Sequence, residues 1–332
     1  MQTLFLTVST LQQLPQALAL GDSLRQHHPG ELFVIGLCDD LNRLPAGLDC
    51  PYPLLDIRQL KRFPVAELSK RYNPLEFAGA AKPLFLQTAW ERYPQAEQLV
   101  YLEPAVYLYQ PLSDLKERLS GRDFLLTPHL LAPPLDEELP DEKYLQNTGL
   151  FHAGFLALRR SPETSRFLGW WSERVPERAY IDFCEGMCAD QLWLMMTPVF
   201  FEGLGIVKHP GWHVGLWNLP ERTLRRQGER WVVAGGEPLV FLNFGGLADN
   251  SGFFGGQTRM RAEHRNLIRP LLDAYRSAVA GHDTLGLSRI APTYGQQPLR
   301  LPLPGWRGTL INSLKQTVKF IETVDVPRKM RN

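Results

Sequence analysis

The first hundred residues alternate short apolar runs with stretches of helical spacing. Thr3–Val8 is a β-rich run and predicts a strand. Leu11–Gln26 then carries Leu14, Ala17, Leu18 and Leu24 near helical spacing, and Pro15 suits an early helical position, where its missing N–H costs little. Leu32–Leu37 predicts a strand buried on both faces, Tyr52–Asp56 a third strand, Ala80–Arg92 a helix and Leu99–Leu102 another strand. This β–α–β–α order predicts an α/β protein with a central, mostly parallel sheet flanked by helices. Ligands of such sheets bind beyond the carboxyl ends of the strands, so Ser9–Thr10, Cys38–Asp40 and Glu103–Ala105 are the first places to search.

The second half is less regular. Phe124–Thr127, Gly149–Leu158 and Leu239–Phe244 read as strands; Ala189–Thr197 and Glu263–Val279 read as helices. Ser161-Pro162-Glu163 opens an amphipathic helix to about Arg174, with Ser as cap, Pro in the first turn and an acid near the positive end. Gly245–Gly256 is glycine-rich and reads as a mobile loop. The character changes near Gly286. The division predicted is a main domain over 1–285 and, over 286–332, a proline-rich linker (Pro292–Pro304) with an amphipathic C-terminal helix whose stripe is Leu310, Ile311, Leu314, Val318 and Ile321.

Composition narrows the classes. The chain has 332 residues and a net charge of +1, which gives no bulk attraction to nucleic acid. Four cysteines are too few for a disulfide scaffold, and Cys184 and Cys188 have no second pair at zinc-site spacing. The N-terminal residues lack the basic start and long apolar run of a signal peptide, so the expected location is the cytoplasm. The C-terminal stripe and the basic Pro327–Asn332 leave contact with the inner membrane face, or with a protein partner, open. The phosphate loop of an NTPase, the glycine fingerprint of a dehydrogenase and the nucleophile elbow of a hydrolase are all missing.

Five segments carry candidate chemistry. Leu99–Leu112 is a strand followed by a turn, Leu-Glu-Pro-Ala-Val-Tyr-Leu; here the sequence resembles glycosyltransferases of the nucleotide-diphospho-sugar (GT-A) fold, related to family 8. Their strand ends in an Asp-x-Asp pair that holds a divalent cation against the diphosphate, a leaving group whose accumulating charge a hard cation neutralises. Glu103 and Ala105 stand at those two positions, a degenerate form of the motif. Phe151-His152-Ala153-Gly154 looks like the family's Phe-Asn-x-Gly strand beside the donor sugar, with His152 for Asn and Gly154 allowing close approach. Asp190-Gln191 matches the family's pair in which Asp binds sugar hydroxyls and Gln faces the anomeric carbon.

Lys208–Arg222 is similar to a Pro-Gly-x-Asn-x-x-x-Trp-Asn-Leu stretch, with His213 for the first Asn and Trp217 and Asn218 in place; these three would shape the sugar or acceptor pocket. Leu239–Gly246 carries Asn243 where the family has a third metal ligand, His. The resemblance further implies Ser9, Thr10 and Asp39 at the nucleoside, and Lys82 and Lys208 at the phosphates. It implies transfer of a sugar from a nucleotide donor, UDP-sugar favoured, to a hydroxyl of a glycan or other acceptor, as in polysaccharide biosynthesis. All three metal positions are altered, which leaves two readings of the cofactor: Mn2+ or Mg2+ held weakly by Glu103 and Asn243, or a metal-independent site. The altered positions also raise a rival from another class, a catalytically silent descendant that binds a glycan or a protein.

Overall fold

The computed structural model describes residues 2–183, 185–233, 235–248, 254–298 and 306–323. The strands are β1 Gln2–Ser9, β2 Leu32–Leu37, β3 Leu54–Asp56, β4 Ala96–Leu102, β5 Val106–Leu108, β6 Phe124–Pro128, β7 Phe151–Arg159, β8 Ile181–Asp182, β9 Met187–Cys188, β10 Leu204–Ile206, β11 Arg225–Gln227, β12 Arg230–Val232 and β13 Phe241–Asn243. The helices are α1 Leu14–His27, α2 Val65–Arg71, α3 Pro74–Arg92, α4 Leu115–Arg118, α5 Glu142–Thr148, α6 Pro162–Arg174, α7 Thr197–Phe200, α8 Ala262–His282 and α9 Trp306–Thr323.

Seven strands form the central sheet in the order β10-β6-β7-β4-β1-β2-β3. β1, β2, β3 and β4 run parallel, as do β6 and β10, while β7 is antiparallel to both of its neighbours. The α/β class and mostly parallel sheet expected from the sequence are present. β1 is buried on both faces, and its alternation divides the two layers. Leu4, Leu6 and Val8 share a core with Phe77, Leu84 and Phe85 of α3 and Phe167 and Trp171 of α6. Phe5 turns the other way, onto Leu14, Leu18 and Leu24 of α1.

Several boundaries differ from the sequence expectation. α3 begins at Pro74 rather than Ala80, because Asn73 caps it: its Oδ1 accepts from the Leu75 and Glu76 N–H groups, and Glu76 reciprocates to the Asn73 N–H. The expected helix Ala189–Thr197 is a tight turn of 3-10 helix, Leu192–Met196, followed by the four-residue α7. The late strand β13 stands outside the main sheet and pairs antiparallel with β5. Ser161 does cap α6, accepting from the Thr164 N–H.

The chain divides into two compact units, residues 1–297 and 298–332. The first runs past 285 because residues 291–297 are tied down. The Thr293 N–H donates to Asp39, the Gly295 N–H to the Ser69 hydroxyl and the Gln296 N–H to the Ser69 carbonyl. In the second unit the described element is α9. Cys184, and residues 249–253 of the expected mobile loop, lie outside the described residues.

Candidate active site

A pocket of about 340 Å³ opens at the carboxyl end of β1 and β4, where parallel-sheet topology leaves strand ends uncovered. Glu103 enters it directly from the end of β4. β7 runs alongside and contributes His152 and Ala153. The pairing of β13 with β5 sets Asn243 opposite Val106, three residues beyond Glu103. A bridge from Val214 to Leu242, with backbone hydrogen bonds from Val240 and Phe241 to the Gly211 carbonyl, holds the 210–218 segment against β13, which delivers Trp217. Asp190 and Gln191 arrive on the turn after β9. Ala189 takes the strained left-handed conformation there, at φ 47°.

The charged groups are tightly committed. Lys82 Nζ lies 2.6 Å from Asp190 Oδ2, with 6% and 7% of the two side chains exposed. Lys82 also donates to the Ala153 carbonyl at 3.1 Å and stands over the Tyr101 ring at 4.9 Å from its centroid. Burial pushes the Asp190 carboxyl above its ordinary range, against the pull of Lys82. Gln191 is held at both ends: its Oε1 accepts from the Ala153 N–H and its Nε2 donates to the Thr148 carbonyl. Behind Trp217 lie three neutral imidazoles, His129, His152 and His213. The His152 ring stacks on Trp217 at 4.0 Å, with His213 at 4.7 Å and His129 at 5.1 Å. Burial lowers the His152 pKa to about 3 and drives the other two well down. His152 Nδ1 accepts the Gly154 N–H, so its proton resides on Nε2.

The donor set does not fit a divalent cation held as the resemblance implies. Asn243 Oδ1 accepts from the Gly245 N–H at 2.8 Å, which fixes the amide with its NH2 toward Glu103, and Nδ2 donates to Glu103 Oε2 at 2.8 Å. Asn243 thus presents a donor, not a ligand oxygen, to Glu103, and Ala105 supplies no oxygen from its side chain. Among the described residues no group of three His, Cys, Asp or Glu side chains could hold a metal ion. The expected ligand pair Glu103–Asn243 is therefore a hydrogen-bonded pair.

Of the residues singled out from the sequence, Lys82, Glu103, Ala105, His152, Asp190, Gln191, Trp217 and Asn243 line the pocket. Others do not. Asp39 is fully buried, with its carboxylate spent on the N–H groups of Leu11, Asp40 and Thr293. Asn218 is a scaffold residue whose amide ties the Gly215 N–H to the carbonyls of His129 and His213. His213 sits a layer deeper, hydrogen-bonded to Thr127 Oγ1 at 2.6 Å. Lys208 is exposed away from the pocket, and Ser9 and Thr10 are buried beside it without lining it.

The sequence reading missed Gln13, Gln16, Gly79, Tyr101 and Phe254 in the lining. The two glutamines carried a signal, since they fall at the start of the helix that follows β1. Gly79 did not, because its role depends on α3 lying against the Asp190 turn.

Gly154 does not open space for a ligand. A Cβ there would stand 2.7 Å from both Glu103 Oε2 and His152 Nδ1, so the missing side chain is filled by the Glu103 carboxylate. Gly154→Ala is expected to lower stability by about 1–3 kcal/mol and to displace Glu103 from the pocket. Urea titration checks the first effect. An unchanged midpoint would mean that the carboxylate moves aside freely.

No protein-family model matches the chain. Two curated proteins of Bacillus subtilis (strain 168) are similar to it, both described as uncharacterized. YfnF is 26% identical over 74% of this chain and 82% of its own length, and YfnD is 21% identical over 73% and 77%. Among solved structures, the galactosyltransferase LgtC in complex with donor and acceptor sugar analogs is 13% identical, covers 84% of this chain and 95% of its own, and has a TM-score of 0.47. Mouse xyloside xylosyltransferase 1 is 14% identical over 74% of this chain and 98% of its own, with a TM-score of 0.42. At TM-scores this low the likenesses carry no argument about chemistry.

Proposed function

We propose that the protein is a glycosyltransferase of the GT-A type, moving a sugar from a nucleotide-sugar donor to a hydroxyl of a glycan or other acceptor. The observation that carries this reading is convergence. Five separate sequence segments each contribute a side chain to one pocket at the strand ends: Glu103, His152, Asp190 with Gln191, Trp217 and Asn243. Residues spread over the chain for unrelated structural reasons have no cause to meet there.

In this reading Asp190 holds donor-sugar hydroxyls and Gln191 faces the anomeric carbon. Trp217 offers an apolar face to the sugar, and the His152 Nε2–H donates to a sugar oxygen. Lys82, the cationic side chain among the described lining residues, offsets charge on the departing diphosphate. The Asn243–Glu103 pairing supports a reading in which activity does not depend on a divalent cation.

Thermal shift with UDP- and GDP-sugars, with and without Mn2+, followed by nucleotide release, tests it. A UDP-sugar is expected to raise the melting temperature equally with and without the metal. A shift that needs Mn2+ and disappears in Glu103→Ala would instead make Glu103 a metal ligand. The silent binding module also has an observation in its favour, since Asp190 and Gln191 already have internal partners. No shift with any nucleotide would decide for it.

A further inference from the structure

The poor fit to a cation leaves a charge in the pocket that the protein does not balance. Among the described lining residues five can titrate: Lys82, Tyr101, Glu103, His152 and Asp190. Lys82 and Asp190 form an ion pair at 2.6 Å and cancel each other. Tyr101 and His152 are neutral, since burial drives the Tyr101 pKa well up and the His152 pKa down to about 3. That leaves Glu103, which is half-buried. Among the described residues it joins no ion pair, and its carboxylate accepts from the neutral Asn243 amide at 2.8 Å. Gly154 makes the room, because a Cβ there would stand 2.7 Å from Glu103 Oε2. The strand pair β4–β7 thus holds a carboxylate at the pocket without a protein cation to meet it.

A carboxylate in that setting favours a positive group on the ligand. A nucleoside diphosphate sharpens the requirement. Its phosphates are anionic, the lysine in the lining already faces Asp190, and Glu103 adds repulsion. An amine on the sugar carbon next to the anomeric carbon supplies the missing charge from the ligand itself. As an ammonium it lies beside the anomeric phosphate and has three hydrogens to donate. A hydroxyl or an acetylated amine at the same carbon is neutral and leaves Glu103 unbalanced. Tyr101, Trp217 and Phe254 make much of the remaining lining aromatic, so an ion pair formed there is screened less than one at an open surface.

We propose that the donor sugar carries a free, unacetylated amine next to its anomeric carbon, and that Glu103 selects it. The proposal rests on the sugar-transfer reading of the same pocket and names the class of donor.

Calorimetric titration of the full-length protein with UDP-glucosamine, UDP-N-acetylglucosamine and UDP-glucose tests it. UDP-glucosamine is expected to bind about tenfold tighter than either of the others. Glu103→Gln keeps the shape and an oxygen for the Asn243 amide but removes the charge, and should bring the three ligands within about twofold of one another. The melting temperature of the unliganded variant is read first; if it does not fold, the comparison of the three ligands on the wild type carries the test. Glucosamine, N-acetylglucosamine and glucose are titrated alongside, because they do not depend on the nucleotide base. UDP-sugars that bind alike to the wild type overturn the amine selection and leave sugar transfer standing. A preference for UDP-glucosamine that survives in Glu103→Gln overturns the role of Glu103. Binding of glucosamine in preference to glucose, with no UDP-sugar bound, supports the amine site and counts against the sugar-transfer reading. No binding in either series overturns both.

Discussion

Asp190→Ala is expected to abolish sugar transfer and also to cost about 3–5 kcal/mol of folding stability, because it strands a buried lysine. Lys82 Nζ faces Asp190 at 2.6 Å with both side chains almost wholly excluded from water. Its remaining contacts, the Ala153 carbonyl and the Tyr101 ring, are neutral. A bare turn cap would cost far less, about 1 kcal/mol. The two effects separate in the double variant Lys82→Met/Asp190→Leu, which replaces the ion pair with apolar side chains. That variant should recover most of the stability while nucleotide release stays absent. Urea unfolding of the three proteins, with nucleotide release measured on each, checks both halves. An Asp190→Ala protein that unfolds at the wild-type midpoint would show that the pair does not carry this energy.

Acid should unfold the protein early, through the imidazole cluster. His129, His152 and His213 are buried beside one another, and burial drives each pKa below 6.5, to about 3 for His152. In the folded state they remain neutral at pH values where the unfolded chain takes up three protons. Their contribution is therefore complete above pH 6.5 and is lost as pH falls below it. Three protons give a slope of about 4 kcal/mol per pH unit at its steepest. Set against an ordinary total of about 5–15 kcal/mol, that slope consumes the stability within a few pH units. The raised Asp190 and Glu221 pKa values act oppositely, since the folded state then holds those protons more tightly, while the lowered pKa values of His27, His28 and His209 add to the effect of the cluster. Urea midpoints at stepped pH check the slope. His129→Asn should remove one proton from it. A flat profile between pH 6.5 and 5 would mean that the rings accept charge within the fold.

Much of the architecture was legible along the chain. A parallel sheet covered on both faces demands continuous apolar strands, and Thr3–Val8 and Leu32–Leu37 are such runs. A helix with an early Pro and a Ser cap needs no tertiary context to be recognised, and α6 begins where Ser161-Pro162 announces it. The start of α3 was also written locally, in Asn73-Pro74 and Glu76, although apolar spacing alone drew the boundary later. β13 falls within the strand expected over Leu239–Phe244, but its pairing was not legible, for a physical reason. A three-residue apolar run carries no record of its partner, and β13 joins β5 rather than the main sheet.

By itself the sequence determined the α/β class, the strand ends at which a ligand would be sought, and most of the side chains that meet there. Those follow from local periodicity and from residue types at strand ends, both of which are properties of neighbours in the chain. Only the tertiary structure decided what each polar group is free to do. Asp39 and Asn218 resemble ligand contacts in sequence, yet backbone N–H and C=O groups, several from distant segments, consume them. Asn243 could have turned an oxygen toward Glu103 until the Gly245 N–H claimed it. A polar group has a limited number of donor and acceptor sites, and which partners take them depends on distances that the linear order of residues does not contain.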